Sequence, residues 1–337
     1  MLSLNDFKFL LPPIPTEEDW NKNINQLEGL EKEAAVIRAR GYNLLEDFQE
    51  TKVNFERIGW LNAWAKAMNA LDTAFSAFQY GSDWVLQTLS RATFELEHHL
   101  LVIIEPIFDI TQIKKSHKVV VPGRSHEYAE RQTIERLRAY AAWCLWSDKV
   151  YFNELIHPMT LKGVWDPIPA KTILSNKEAL EGHERLYGRL ESEIDSEKLK
   201  QGRAEMELFY KNKIQQIDQW LEGAQLKKWY DMILMLSREN RRAVSFFNLF
   251  DPEATLAKRL KKHGVRFGYA QYSASSMGLH GSTMEQFVFF DDAVVAPKLQ
   301  MDKKADEALF KGVISDCNSL FVLLGMMNHY VLKKAEK

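Results

Sequence analysis

The sequence predicts an all-α fold: a multi-helix bundle with long central helices, a charged helical insertion and at most a minor β element. Three observations carry that expectation. Only 16 Gly and 10 Pro punctuate 337 residues, which leaves room for long uninterrupted helices. Apolar residues recur at three- and four-residue steps over most of the chain. The stretch 83–106 is apolar on nearly every side, as a central helix is. Three segments follow from the pattern: N-terminal core helices over 1–112, a middle segment with the insertion over 113–227, and helices completing the core over 228–337.

The first fifteen residues end in LLPPIP, an extended piece, and Thr16 with Glu17, Glu18 and Asp19 opens an outer helix running to about Phe48. A richer helix over about 53–80 carries Trp60, Trp64, Met68, Leu71, Phe75 and Phe78. Gly81 stops it, Ser82 and Asp83 start the next, and Pro106 ends that third helix. KVVVPG at 118–123 allows a short extended piece, and 126–156 reads as a long helix with Tyr140, Trp143, Trp146 and Phe152 on its apolar side. Residues 158–175 are irregular, and 176–211 read as two charged, solvated helices, the best candidate for a partner-docking arm. Residues 220–245 read as one apolar helix, and Asp251-Pro252-Glu253 starts a short one. A polar-faced helix follows from about Tyr269 to His280, then a loop or short hairpin with FVFFDD and VVAP, then a last apolar helix from Asp302 onward.

Lys+Arg at 44 against Asp+Glu at 46 gives a net charge of -2, which does not imply a dedicated duplex-DNA surface. Cys144 and Cys317, far apart in apolar helical stretches, read as reduced core thiols. No Cys/His ligand spacing is present, so neither metal nor cofactor is expected. The start lacks a signal peptide's features, and the most apolar runs fall short of the ~20 residues needed to cross a bilayer. The expectation is a cytoplasmic protein with no membrane partner.

Three constellations can carry chemistry. Relative to Arg91, Glu95 lies at about 40° and His98 at about 340° on a helical wheel, so the three share one strip. Glu97 and His99 are embedded in the same apolar helix. Arg91-x6-His98 fits the loose spacing of HEPN-type ribonucleases, in which an arginine steadies a phosphate and a histidine moves protons. The bland alternative is an Arg91–Glu95 ion pair joining helices. In the second constellation, Ser273, Ser276 and His280 fall within about 40° of Tyr269, flanked by Tyr272 and Arg266. This is either a histidine poised beside hydroxyls in a cleft or a set of helix-packing hydrogen bonds. The third is a basic group containing Arg238, Arg241, Arg242 and Lys262, interleaved with Phe246, Phe247 and Phe250. It is either an RNA-drawing patch or the solvated side of two helices.

RATFELEHHLL at 91–101, YAQYSASSMGLHGS at 269–282 and the final apolar helix together resemble a family of uncharacterised bacterial helical proteins. Those proteins pair an Arg-x3-Glu helix with a later Tyr-x-x-(Leu/Tyr)-Ser…His helix. The matching positions here are Arg91, Glu95, Tyr269, Tyr272, Ser273 and His280. The likeness spans about 60–105 and 228–335, leaving the charged segment as an insertion. It implies an all-helical fold and, through HEPN relatives, a metal-independent ribonuclease of toxin or phage-defence type. In that reading Arg91, Glu95, His98, Tyr269, Ser273 and His280 are catalytic, while Arg241, Arg242, Lys262 and Arg266 hold RNA. HEPN relatives also suggest a homodimer. The alternative is a non-enzymatic helical sensor or adaptor, or a nucleotide-binding protein, with a structural polar cluster and a protein partner docked through 176–211.

Overall fold

A computed structural model describes residues 28–46, 54–110, 113–114, 117–118, 126–160, 196–240, 244–251, 288–291, 294–297 and 306–328. Among the described residues the chain is an all-α bundle with two minor two-stranded hairpins. The helices are α1 (Gly29–Glu46), α2 (Phe55–Gln79), α3 (Asp83–Ile110), α4 (His126–Thr160), α5 (Ser196–Leu221), α6 (Lys227–Asn240) and α7 (Glu307–Met327). The hairpins pair β1 (Ile113–Lys114) with β2 (His117–Lys118) and β3 (Val288–Asp291) with β4 (Val294–Pro297), both antiparallel. The second realises the FVFFDD and VVAP pattern, in the register Val288↔Pro297 to Asp291↔Val294.

The chain forms two compact units, one of residues 1–141 with 232–337 and one of residues 142–231. In the first, α7 packs against α3, α2 and α1, and α3 packs on α2. The core holds Trp60, Leu71, Leu86, Leu100, Ile103, Phe310 and Phe321, each under 2 % exposed. By length and composition α7 is apolar enough to cross a membrane, with a mean hydropathy of 1.4. Its buried stripe from Phe310 to Met327 meets three other helices, which accounts for that apolarity within the bundle.

Local chemistry sets the helix ends. Asn54 caps α2 by accepting the Arg57 N–H at 3.0 Å. At the other end Gly81 takes φ 73°; its N–H bonds the Phe78 carbonyl and the Ser82 N–H reaches back to Ala77 at 2.8 Å. This paired closure needs the left-handed residue that glycine supplies without a Cβ clash. Asp306 caps α7 through the Ala308 and Leu309 N–H groups, and its own N–H donates to Asp83 Oδ1 at 2.7 Å. The start of α3 is thereby tied to the start of α7.

Two expectations are corrected. Helix α3 does not end at Pro106 but continues to Ile110. Proline lacks the N–H that would bond the carbonyl four residues back, at Val102. Arg136 of α4 fills that gap: its Nη1 donates to the Val102 oxygen and also to Glu105 Oε2 at 2.9 Å. The expected single helix over 220–245 is instead broken after Leu221, resumes at Lys227, and gives way to a 3-10 turn at Phe246–Leu249. Gly223 sits in the break, where a Cβ would lie only 3.0 Å from the Trp220 carbonyl oxygen. The outer helix is described from Gly29 only, so its expected start at Thr16 lies outside the described residues.

Candidate functional site

Helix α3 is the polar-bearing element of the first unit, and its ionisable residues divide among three surroundings. The first is the Arg91 strip. Arg91 Nε donates to Glu95 Oε1 at 3.2 Å, with side chains 26 % and 38 % exposed. This is an i,i+4 ion pair open enough to solvent that its contribution is small, ~0.5 kcal/mol. His98 shares the strip but not the depth: it is 5 % exposed, and its Nδ1 lies 2.8 Å from the Phe94 carbonyl oxygen. A carbonyl only accepts, so Nδ1 carries the hydrogen and the ring is the Nδ1–H tautomer when neutral. Its ring also packs on Phe94 with centroids 4.3 Å apart. A buried imidazole fixed in this way is poorly placed to take a proton from a bound substrate.

The second surrounding encloses His99. Tyr140 of α4 and Phe246 and Phe247 of the 3-10 turn place their ring centroids 5.8, 5.3 and 5.0 Å from the His99 ring. Burial, assisted by the positive charges of Lys66 and His98, lowers the His99 pKa to about 3. Its imidazole is therefore neutral at physiological pH and lacks the imidazolium proton that a general acid gives up. The same contacts revise the basic-aromatic patch expected around 238–262. Phe246 is fully buried and Phe247 is 4 % exposed, so neither offers a face on which a base can stack. Phe250 instead receives the Arg136 guanidinium, 5.0 Å from its ring centroid.

The third surrounding is the seam between α3 and α7, which carries Thr93, Glu97 and Asp316. Thr93 Oγ lies 3.2 Å from Asp316 Oδ2. Burial, assisted by the nearby Glu97 charge and opposed by the Thr93 hydrogen bond, raises the Asp316 pKa to about 7. Burial also raises the Glu97 pKa. Sequence reasoning noted Glu97 and His99 without giving them a role, and passed over Asp316. The signal was present: an acid between Ile314 and Cys317 interrupts the apolar stripe of the last helix.

Tyr269, Ser273 and His280 lie outside the described residues, as do Arg241, Arg242, Lys262 and Arg266. Among the described residues no group of three or more His, Cys, Asp or Glu side chains can hold a metal ion. Cys317 is buried and Cys144 half-buried, both as reduced thiols, and burial raises the Cys317 pKa.

The described residues of the second unit include a polar cluster and a strongly exposed helix. Lys149 of α4 donates to Asp218 of α5 at 2.5 Å and to the Tyr230 hydroxyl at 3.0 Å. Phe152 stacks on Tyr210 at 5.5 Å. On α5 the large side chains Met206, Leu208 and Phe209 are 48 %, 60 % and 55 % exposed, and Tyr151 of α4 is 57 % exposed.

No protein-family model, curated protein or solved structure matches the chain.

Proposed function

We propose that this chain is a non-enzymatic helical sensor or adaptor that engages a protein partner along α5, while the polar groups of α3 serve the bundle itself. The observation that carries this reading is the exposure of Leu208 and Phe209, two large apolar side chains more than half open to solvent on one helix. Their neighbourhood favours a protein over a polyanion. Glu205, Glu207, Lys211 and Lys213 give both signs of charge around them, Glu207 is paired with Lys211 at 2.6 Å, and Lys213 lies 5.7 Å from the Phe209 ring centroid. A nucleic-acid surface concentrates positive charge instead. The reading also agrees with the burial of His98, which removes the nearest proton carrier from the Arg91 strip. The test is co-purification from the native host, comparing wild type with a Leu208→Glu, Phe209→Glu double variant. A partner retained by wild type and lost by the variant, with the melting temperature unchanged, is the expected outcome. A partner retained equally by both overturns the docking face.

A second reading rests on Arg91, whose half-exposed guanidinium can hold a phosphate bidentately. In that reading the chain is a metal-independent ribonuclease of toxin or phage-defence type, with His280 as the proton carrier and Glu95 orienting Arg91. It draws on the family resemblance and on residues outside the described part of the chain.

A further inference from the structure

On α5, Glu205, Phe209 and Lys213 stand four residues apart and form one ridge along the helix. All three are exposed: an acid at one end, a ring in the middle and an amine at the other. The two charges are twice as far apart as the i,i+4 step over which helix side chains pair. Glu205 accepts instead from the Gln201 amide at 2.9 Å, and the Lys213 ammonium lies 5.7 Å from the centroid of the ring between them. The other charges of this turn, Glu207 and Lys211, lie about 160° round the helix from Phe209 and pair with each other at 2.6 Å.

Beside that ridge runs a second, made of Gly202, Met206 and Tyr210, and the groove between the two is apolar along its middle. Met206 and Phe209 border it with about half of each side chain open to solvent. At Gly202 nothing lies within 4 Å of where a Cβ would stand, so that end is unobstructed. The ring of Tyr210 lies 5.4 Å from Phe209 and stacks on Phe152 of α4, which in turn neighbours exposed Tyr151 at 5.8 Å. An aromatic surface thus runs from one helix to the other within the second unit.

We propose that this groove receives α5 of a second copy of the chain, antiparallel, with the two ridges side by side about a two-fold axis at Phe209. The proposal rests on the adaptor reading for its docking face, and the order of the charges selects the occupant. Reversal places each Glu205 beside the partner's Lys213, twice by symmetry. A parallel copy sets acid against acid and amine against amine, which disfavours it. The two Phe209 rings meet at the axis, each against the partner's Met206. Ridges of this kind interdigitate with the helices crossing at about 50°, so the contact is a crossing centred on Phe209. Helix α5 lies outside 60–105 and 228–335, so the docking face is independent of the family likeness.

Sedimentation equilibrium of the full chain over a range of concentrations tests the pairing. Wild type should pass from monomer to dimer mass. Glu205→Lys and Lys213→Glu each set like charges opposite one another twice, and each should weaken the dimer about tenfold. Both changes in one chain bring opposite charges together again and should recover wild-type association. Leu208→Glu, about 100° round the helix from Phe209, should leave association unchanged. Circular dichroism checks that every variant keeps its helix content. A chain that stays monomeric at every concentration overturns self-docking, and so does a dimer indifferent to the single reversals or not repaired by the double one. Co-purification judges the adaptor reading separately: a monomer that loses a host partner with Leu208→Glu, Phe209→Glu leaves that reading standing.

Discussion

Trp60→Ala should cost about 3–5 kcal/mol and lower the melting temperature by roughly 10 °C. Trp60 is fully buried on α2, and its indole Nε1–H donates to the Leu324 carbonyl of α7 at 3.0 Å. That carbonyl lies in the last described turn of α7, where it also accepts from the Asn328 N–H, so the indole is a second donor to it. Alanine therefore removes a large buried surface, opens a cavity and withdraws a donor at one stroke. Trp60→Phe separates these effects. It keeps most of the ring and loses the hydrogen bond, so about 1 kcal/mol of additional loss over simple ring shrinkage is expected. Chemical denaturation of the three proteins checks both values.

Arg138→Met is the second large effect, expected at about 3 kcal/mol. Glu56 opens α2 and is 5 % exposed, which is unusual for a carboxylate. Arg138 of α4 donates to its Oε1 through Nε at 2.9 Å and through Nη2, and holds Glu135 through Nη1 at 2.8 Å. Among the described residues the other oxygen, Oε2, is buried without a hydrogen-bond partner. Removing the guanidinium leaves a buried charge near the positive end of α2, without the ion pair that compensates it. The figure lies at the lower end of the range for buried pairs because the Arg138 side chain is 27 % exposed. Adding Glu56→Leu to Arg138→Met should recover most of the loss, since no unpaired charge then remains. A denaturation double-mutant cycle gives the answer: additive losses would mean that the pair is not the source.

The helices were legible because apolar periodicity is a local property. Gly81 and the capping residues marked the α2–α3 junction correctly, since a glycine stop and a polar start act within a few residues. Pro106 misled because its rescue comes from Arg136, thirty residues further on and across a helix contact that no local rule sees. The turn at Gly223 was missed because a single glycine inside a helical pattern gives no sign of whether its backbone must bend. At the candidate site, the four-residue step from Arg91 to Glu95 announced their ion pair. Angular position said nothing of depth, so His98 shared a strip with Arg91 yet lies in the core. Asp316 was readable as an acid within an apolar stripe, but its partner Thr93 belongs to another helix, and only the fold brings the two together.

In the adaptor reading the polar groups of α3 hold the bundle rather than cut RNA. The decisive measurement is RNA cleavage by the purified chain, comparing wild type with Arg91→Ala, His98→Ala and His280→Ala, each checked for helix content by circular dichroism. The expected result is background cleavage by all four, unchanged by chelator or added metal. Cleavage by wild type that disappears in Arg91→Ala and in one histidine variant, with the helices intact, would overturn the adaptor reading and establish the ribonuclease.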